Sequence, residues 1–262
     1  MFYRHTRDGR RKAIDLYDMY EGDLFLCGGH PSLKEEDLSL LTRHGVATMA
    51  MNNTATLFRP NFWVTADKPA CYSKSILLDA AVMKFARLVW GREKIGEALW
   101  SEIPGTIFYG TTYEDGKSKS GEVIYRPTTL LFQKQPLAWF KNVFVIALQI
   151  AYRLGFRRVF LCGVGFKIES NQQYSYDSKL TDVQVNSNQR CYNNVVNIVK
   201  QALPHFGEFG FELISCTPDS AMNDLVPYVP FSQALNMVAH PGHDTLGVLH
   251  SSELKTPQEK SK

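Results

Sequence analysis

The chain lacks most of the features that mark specialised protein classes. Five cysteines in 262 residues, an odd number with no C-x-x-C pair, offer neither a disulfide framework nor a structural zinc site. No apolar run approaches the roughly 20 residues of a membrane-spanning helix. The longest, Val143 to Tyr152, is interrupted by Gln149. The first residues are charged and polar, without the apolar stretch of a secretory signal, so a cytoplasmic protein is expected. There is no Walker loop, no G-x-G-x-x-G, no G-x-S-x-G elbow and no internal repeat. His240, His243, Asp244 and His250 lack a metal-ligand spacing and read as a surface loop, so no metal site is assigned. A net charge of +3 does not by itself indicate a nucleic-acid partner. The local exception is Arg4, Arg7, Arg10, Arg11 and Lys12, which read as a solvated basic arm over residues 1–22.

What is present is enough apolar and aromatic content, 44% and 12%, to bury one large core. Residues 23–250 read as a single α/β nucleotide-binding domain, and the polar tail 251–262 as disordered. Asp23 to Cys27 is a strand, followed by Gly28-Gly29 and a helical pattern through Leu33 and Leu41, with Ser32 and Glu35 as a capping box. Val46 to Met51 and Phe62 to Ala66 are further strands, ending at Asn52 and Asp67. Ser75 to Val89 reads as a helix. Residues 91–135 look like an inserted hairpin, with Thr106 to Tyr109 and Val123 to Arg126 as its strands and a polar turn at Asp115 to Gly121. Such an insertion would serve as a lid or as a contact between copies of the chain. An apolar helix from Lys141 to Leu154 stops at Gly155, and Arg157 to Cys162 is a continuously apolar strand, as in a parallel sheet covered on both faces. A long loop then carries Gly163 to Phe166, Tyr174, Tyr176 and Asp177, before a helix from about Gln189 to Leu203. Phe211 to Cys216 is a last strand, and Thr217 to Ser220 caps a short helix from Ala221.

This order predicts a Rossmann-like, mainly parallel sheet with helices on both faces and a hairpin or lid insertion, a GT-A-like arrangement. In such sheets ligands bind at the carboxyl edge. Gly28, Gly29 and Ser32 sit where a strand meets a helix and allow close approach of a phosphate. Asn52, Asp67, Gly163, Phe166, Thr217 and Ser220 end strands on the same side. Each alone fits a turn as well as a ligand contact; their common edge is what points to a nucleotide.

At these residues the chain resembles the CMP-sialic acid sialyltransferases of bacterial lipooligosaccharide synthesis, and a related group that includes 6-hydroxymethylpterin diphosphokinase-like and phage proteins. The family segment G-N-G-P-S-L-K is similar to Gly28-Gly29-His30-Pro31-Ser32-Leu33-Lys34, and A-L-G-Y-K-x-I-Y-L-x-G-I-D-F to the stretch from Leu154 to Phe166. A tyrosine loop and a C-P-N-S-like turn at Thr217 to Ser220 complete the likeness. The resemblance implies a transferase that moves a sugar or related group from a nucleotide-activated donor, with Tyr174 and Tyr176 supporting the leaving phosphate. The acceptor would be a glycan or, for a phage-encoded chain in its host's cytoplasm, a modified nucleic acid. Gly165 stands at the family's acidic position, and no histidine lies between Ser178 and Tyr192 where the family places its base. That leaves Asp177 or His30 as candidate bases. The alternatives are a pterin-type pyrophosphokinase, which would use Mg²⁺, and a noncatalytic nucleotide binder; otherwise no cofactor is implied.

Overall fold

A computed structural model describes residues 2–6, 9–43, 45–112, 131–132, 137–168, 174–176 and 180–238. The strands are β1 (Phe2–His5), β2 (Arg11–Ile14), β3 (Asp23–Cys27), β4 (Thr48–Met51), β5 (Phe62–Val64), β6 (Met83–Arg87), β7 (Lys94–Ile95), β8 (Ala98–Leu99), β9 (Thr106–Tyr109), β10 (Thr111–Thr112), β11 (Leu137–Ala138), β12 (Arg158–Cys162) and β13 (Glu212–Ser215). The α-helices are α1 (Lys74–Leu78), α2 (Val143–Leu154), α3 (Asp182–Phe206) and α4 (Phe231–Val238).

Nine strands form one open sheet in the order β13-β12-β3-β4-β5-β6-β9-β1-β2. All pairings from β13 to β9 are parallel, and β1 and β2 add an antiparallel edge. Alternation along β3 shows why the sheet is buried on both sides. Leu24 and Leu26 join the core under α2 and α3, whereas Phe25 and Cys27 join the opposite core with α1 and α4. The expected helix-covered parallel sheet is therefore present. From β3 the chain runs outward through β4, β5, β6 and β9, then returns to place β12 on the other side of β3. This reversal opens a crevice at the carboxyl ends of β3 and β12, where open α/β sheets bind ligands.

Several local expectations are corrected. The basic N-terminal segment is a β-hairpin on the sheet edge, because Phe2 alternates inward, 1% exposed, and packs on Phe85. The expected helix after Gly29 is two short 3₁₀ turns, Pro31–Glu35 and Leu38–Thr42, and His30 rather than Ser32 caps the first. The stretch read as one helix from Ser75 divides into α1 and the strand β6. The Asp79 carboxylate accepts the Ala81 amide and turns the chain, and buried Lys84 bends its ammonium back to the carbonyls of Asp79 and Val82. Thr106 to Tyr109, read as part of an insertion, is the internal strand β9. The α3 helix starts earlier than expected, at Asp182, where Thr181 and Gln184 form a capping box. Thr217 to Ser220 leads into turns, and the next helix begins only at Phe231. The turn at 115–121, the stretch 123–126, Asp177, the histidines at 240–250 and the tail 251–262 lie outside the described residues.

Cys27, Cys162 and Cys216 are buried, as expected of small hydrophobes at strand ends. Burial first, then the neighbouring Cys216 and Cys27, pushes the Cys162 thiol well up, so the Cys162 sulfur is a poor nucleophile. Among the described residues no helix is long and apolar enough to cross a membrane.

Candidate nucleotide site

The β3 and β12 loops are joined before any ligand arrives. The Gly28 amide donates to the Cys162 carbonyl and the His30 amide to the Gly163 carbonyl, both at 2.8 Å. The approach is so close that a Cβ on Gly28 would lie 2.5 Å from the Gly163 oxygen. Thr217 and Ser220 hold the β12 loop from beneath. Thr217 Oγ1 accepts the Val164 amide at 2.9 Å and donates to the Leu161 carbonyl at 3.0 Å, while Ser220 Oγ donates to the Val164 carbonyl at 2.7 Å. Both side chains are buried and neither lines the crevice, so their placement is structural.

Above these loops lies a cavity of about 370 Å³. Gly28, Gly29, His30, Gly163 and Phe166 form its floor, Asn52 and Asp67 one wall, and Tyr174 and Tyr176 its roof. Thus nine residues singled out in the sequence meet here, while Ser32 only touches His30 from behind. The Ser175 amide donates to the Gly29 carbonyl at 2.7 Å, fastening the tyrosine loop to the glycine segment. The two tyrosine rings stack with centroids 5.1 Å apart, and Tyr176 lies against Gly29, where a Cβ would come within 2.8 Å. The absence of a side chain at 29 therefore makes room for the aromatic pair.

The expected phosphate cradle of backbone amides is only partly available. The amides of Gly28, His30, Ser32 and Leu33 all donate within the protein. Gly29 keeps the amide of this segment that has no acceptor among the described residues. Further donors come from side chains. Asn52 Oδ1 and Asp67 both face the Tyr72 hydroxyl, at 3.0 and 3.3 Å, and Thr65 also donates to that oxygen. This anchors Asn52 by its oxygen and leaves its amide nitrogen as a donor. Burial and the adjacent Tyr174 push the Tyr176 hydroxyl up, and burial and Tyr174 do the same for Tyr192. Both phenols stay protonated at neutral pH and can donate to an anion.

The opposite wall was not anticipated. It consists of Trp139, Lys141, Asn142 and the α3 residues Asn188, Cys191 and Tyr192. Buried Gln149 positions the first three by bonding both backbone groups of Ala138 at 2.8 and 3.0 Å, and Asn142 caps α2 through the Phe144 amide. Asn188 donates to the Tyr174 hydroxyl at 3.1 Å, and Tyr192 lies 3.3 Å from the same oxygen. Asn142 ahead of an apolar run is a helix-start signal that sequence reading could have used; nothing in the sequence marks Trp139. Non-glycine residues with positive φ gather here too: Asn52 at 52°, Lys141 at 57° and Phe166 at 52° line the cavity. Backbone held in this sparsely populated region is common at ligand sites.

No family model and no curated protein matches the chain. Its fold is similar to solved glycosyltransferases. The sialyltransferase CST-II in complex with a trisaccharide acceptor and CMP is 14% identical with a TM-score of 0.42, covering 79% of this chain and 86% of that one. CstII from Campylobacter jejuni in complex with the substrate analogue cytidine-5'-monophosphate is 14% identical with a TM-score of 0.43, covering 79% and 85%. The MAf glycosyltransferase from Magnetospirillum magneticum AMB-1 is 10% identical with a TM-score of 0.48, covering 90% of this chain and 36% of that one. Likeness at this level does not carry function.

Lys141 and Lys167 line the cavity, and Asp67 is its one carboxylate among the described residues. The balance suits an anionic ligand. No group of three or more His, Cys, Asp or Glu among the described residues is arranged to hold a metal ion.

Proposed function

We propose that the protein binds a nucleotide-activated donor in this crevice and transfers its sugar or a related group to an acceptor. The observation that carries the reading is the meeting of three separate segments. Gly28-Gly29-His30, Gly163 to Phe166 and the tyrosine loop converge on one cavity, tied together by backbone hydrogen bonds. These are the segments on which the sequence resemblance rests. In such a transfer the bond between the sugar's anomeric carbon and the donor phosphate breaks, and negative charge grows on the leaving phosphate. Preorganised donors in a partly dry site are the effective way to stabilise that charge. Tyr176, Tyr174, the Gly29 amide and Lys141 are suited to the leaving phosphate, Asn52 and Asp67 to the nucleoside. The acceptor, a glycan or a modified nucleic acid, would enter from the open side.

The test is a thermal-shift screen of nucleoside monophosphates and nucleotide sugars, followed by detection of nucleoside monophosphate release. Ligand at about 100 times its Kd adds about 2.7 kcal/mol, or roughly 5–10 °C for a chain of this size. A panel that leaves the melting temperature unmoved would overturn the reading. Binding without release in the presence of glycan acceptors would favour the second reading, a nucleotide binder without turnover.

A further inference from the structure

The chain has four tryptophans, and Trp139 is set differently from the other three. Trp63 and Trp100 are fully buried and Trp90 donates to the Ala66 carbonyl, whereas Trp139 is half-buried and lines the crevice. The chain on both sides of it is fixed. Leu137 and Ala138 pair with Thr111 and Thr112, Gln149 bonds both backbone groups of Ala138 and also the Val145 carbonyl, and Asn142 caps α2. The Arg87 guanidinium lies over the indole, its carbon 4.5 Å from the ring centroid. Among the described residues no other cation and no aromatic ring stacks on Trp139. Arg87 does not line the cavity and Trp139 does, so the cation covers the indole from outside and the cavity borders it from the other side.

The place of the indole along the crevice identifies what it meets. Arg87 closes β6, three strands from β3 in the sheet order, so its backbone stands about 14 Å from the end of β3 at the usual strand spacing. Between them run β4 and β5, which lead to Asn52 and Asp67. A nucleotide with its phosphate at Gly29 and its ribose beside Asn52 and Asp67 therefore brings its base to Trp139. We propose that Trp139 is the platform on which the nucleobase stacks, held from behind by Arg87. The assignment rests on the nucleotide reading above and deepens it. Stacking uses the π-face that every base has, so affinity depends on the presence of a base, and the choice among bases falls to polar neighbours such as Asn52 and Asp67.

Two measurements test it. Calorimetric titrations with CMP, UMP, AMP and GMP, and with ribose 5-phosphate as the probe that lacks a base, compare the wild type with Trp139→Ala and Trp139→Phe. For the monophosphate that binds best, Trp139→Ala should weaken affinity about five- to a hundredfold, the range of one base stacked on an aromatic side chain, and leave ribose 5-phosphate unchanged. Trp139→Phe, which keeps a smaller aromatic face and protects the fold, should recover part of the loss. Tryptophan fluorescence gives the second readout: saturation with the same monophosphate should quench the wild type, and most of that quench should vanish in Trp139→Phe. Equal losses for the monophosphate and ribose 5-phosphate, no loss for either, or a quench that persists in Trp139→Phe would overturn the base platform alone. A loss confined to the nucleotide sugar, with the monophosphate unaffected, would place the transferred sugar on the indole and overturn it likewise. A wild type that binds none of the four monophosphates would instead remove the nucleotide reading, and the platform with it.

Discussion

Two adjacent glycines, Gly28 and Gly29, should respond to the same added methyl in opposite ways. Neither has positive φ, so alanine is sterically compatible with the backbone at both and only the surroundings decide. At Gly28 the methyl would lie 2.5 Å from the Gly163 carbonyl oxygen and 3.0 Å from Val164 Cγ2. Both belong to the loop that Gly28 and His30 bond directly, so the β3 and β12 loops must separate. Overpacking costs about 1–3 kcal/mol, and weakening two inter-loop hydrogen bonds adds about 0.5–1.5 kcal/mol each. The total is about 2–6 kcal/mol, or a melting temperature lower by roughly 5–20 °C. At Gly29 the methyl meets only the tyrosine rings, Tyr176 Cε1 at 2.8 Å and Tyr174 Cδ1 at 3.2 Å. The rings can move aside, at about 0.5–1.5 kcal/mol for the lost stacking. Gly29→Ala should therefore keep nearly wild-type stability and lose about tenfold in nucleotide affinity, since the roof of the cavity shifts. Urea denaturation and calorimetric titration of both variants give the two numbers. A stable Gly28→Ala, or a Gly29→Ala with unchanged affinity, would refute this division between a structural and a ligand-facing glycine.

Further outcomes follow from the same geometry. Thr217→Val should cost about 1–3 kcal/mol by taking the acceptor from the buried Val164 amide, while the Leu161 carbonyl keeps the Cys216 amide as a donor; chemical denaturation measures it, and an undiminished stability would show that the Val164 amide finds water instead. Tyr176→Phe should weaken nucleotide binding several-fold while leaving the fold intact, because it removes a phenol that burial keeps protonated; equal binding of a nucleoside and its monophosphate by the wild type would contradict a phosphate contact. Lys84 supplies a pH test. Burial lowers its ammonium to about 8 from an ordinary 10.5, with Asp79 opposing the shift. Between those values the unfolded chain holds a proton that the folded chain has released, so stability rises with pH. The unfolding free energy of the wild type relative to Lys84→Met should climb by about 1–3 kcal/mol from pH 7.5 to 10; a flat or falling difference would argue that the Lys84 ammonium titrates normally.

Sequence by itself determined the parallel sheet and its ligand-binding edge. Continuous apolar runs such as Phe25 to Cys27 and Val159 to Cys162 can be satisfied only between two covered faces, and polar or glycine residues at their ends mark the edge. It could not distinguish a helix from a helix followed by a strand in residues 74–87, since the apolar spacing there suits both periods and the decision lay with the vacant place between β5 and β9. It placed Thr217 and Ser220 at the correct edge without showing that they face inward, because strand ends fix location and packing fixes direction. Trp139, Lys141 and Asn188 reach the cavity only through the docking of α2 and α3, contacts between segments far apart in the chain. The same holds for His30. Only the folded chain sets its ring against Gly165 while Nδ1 accepts the Ser32 amide.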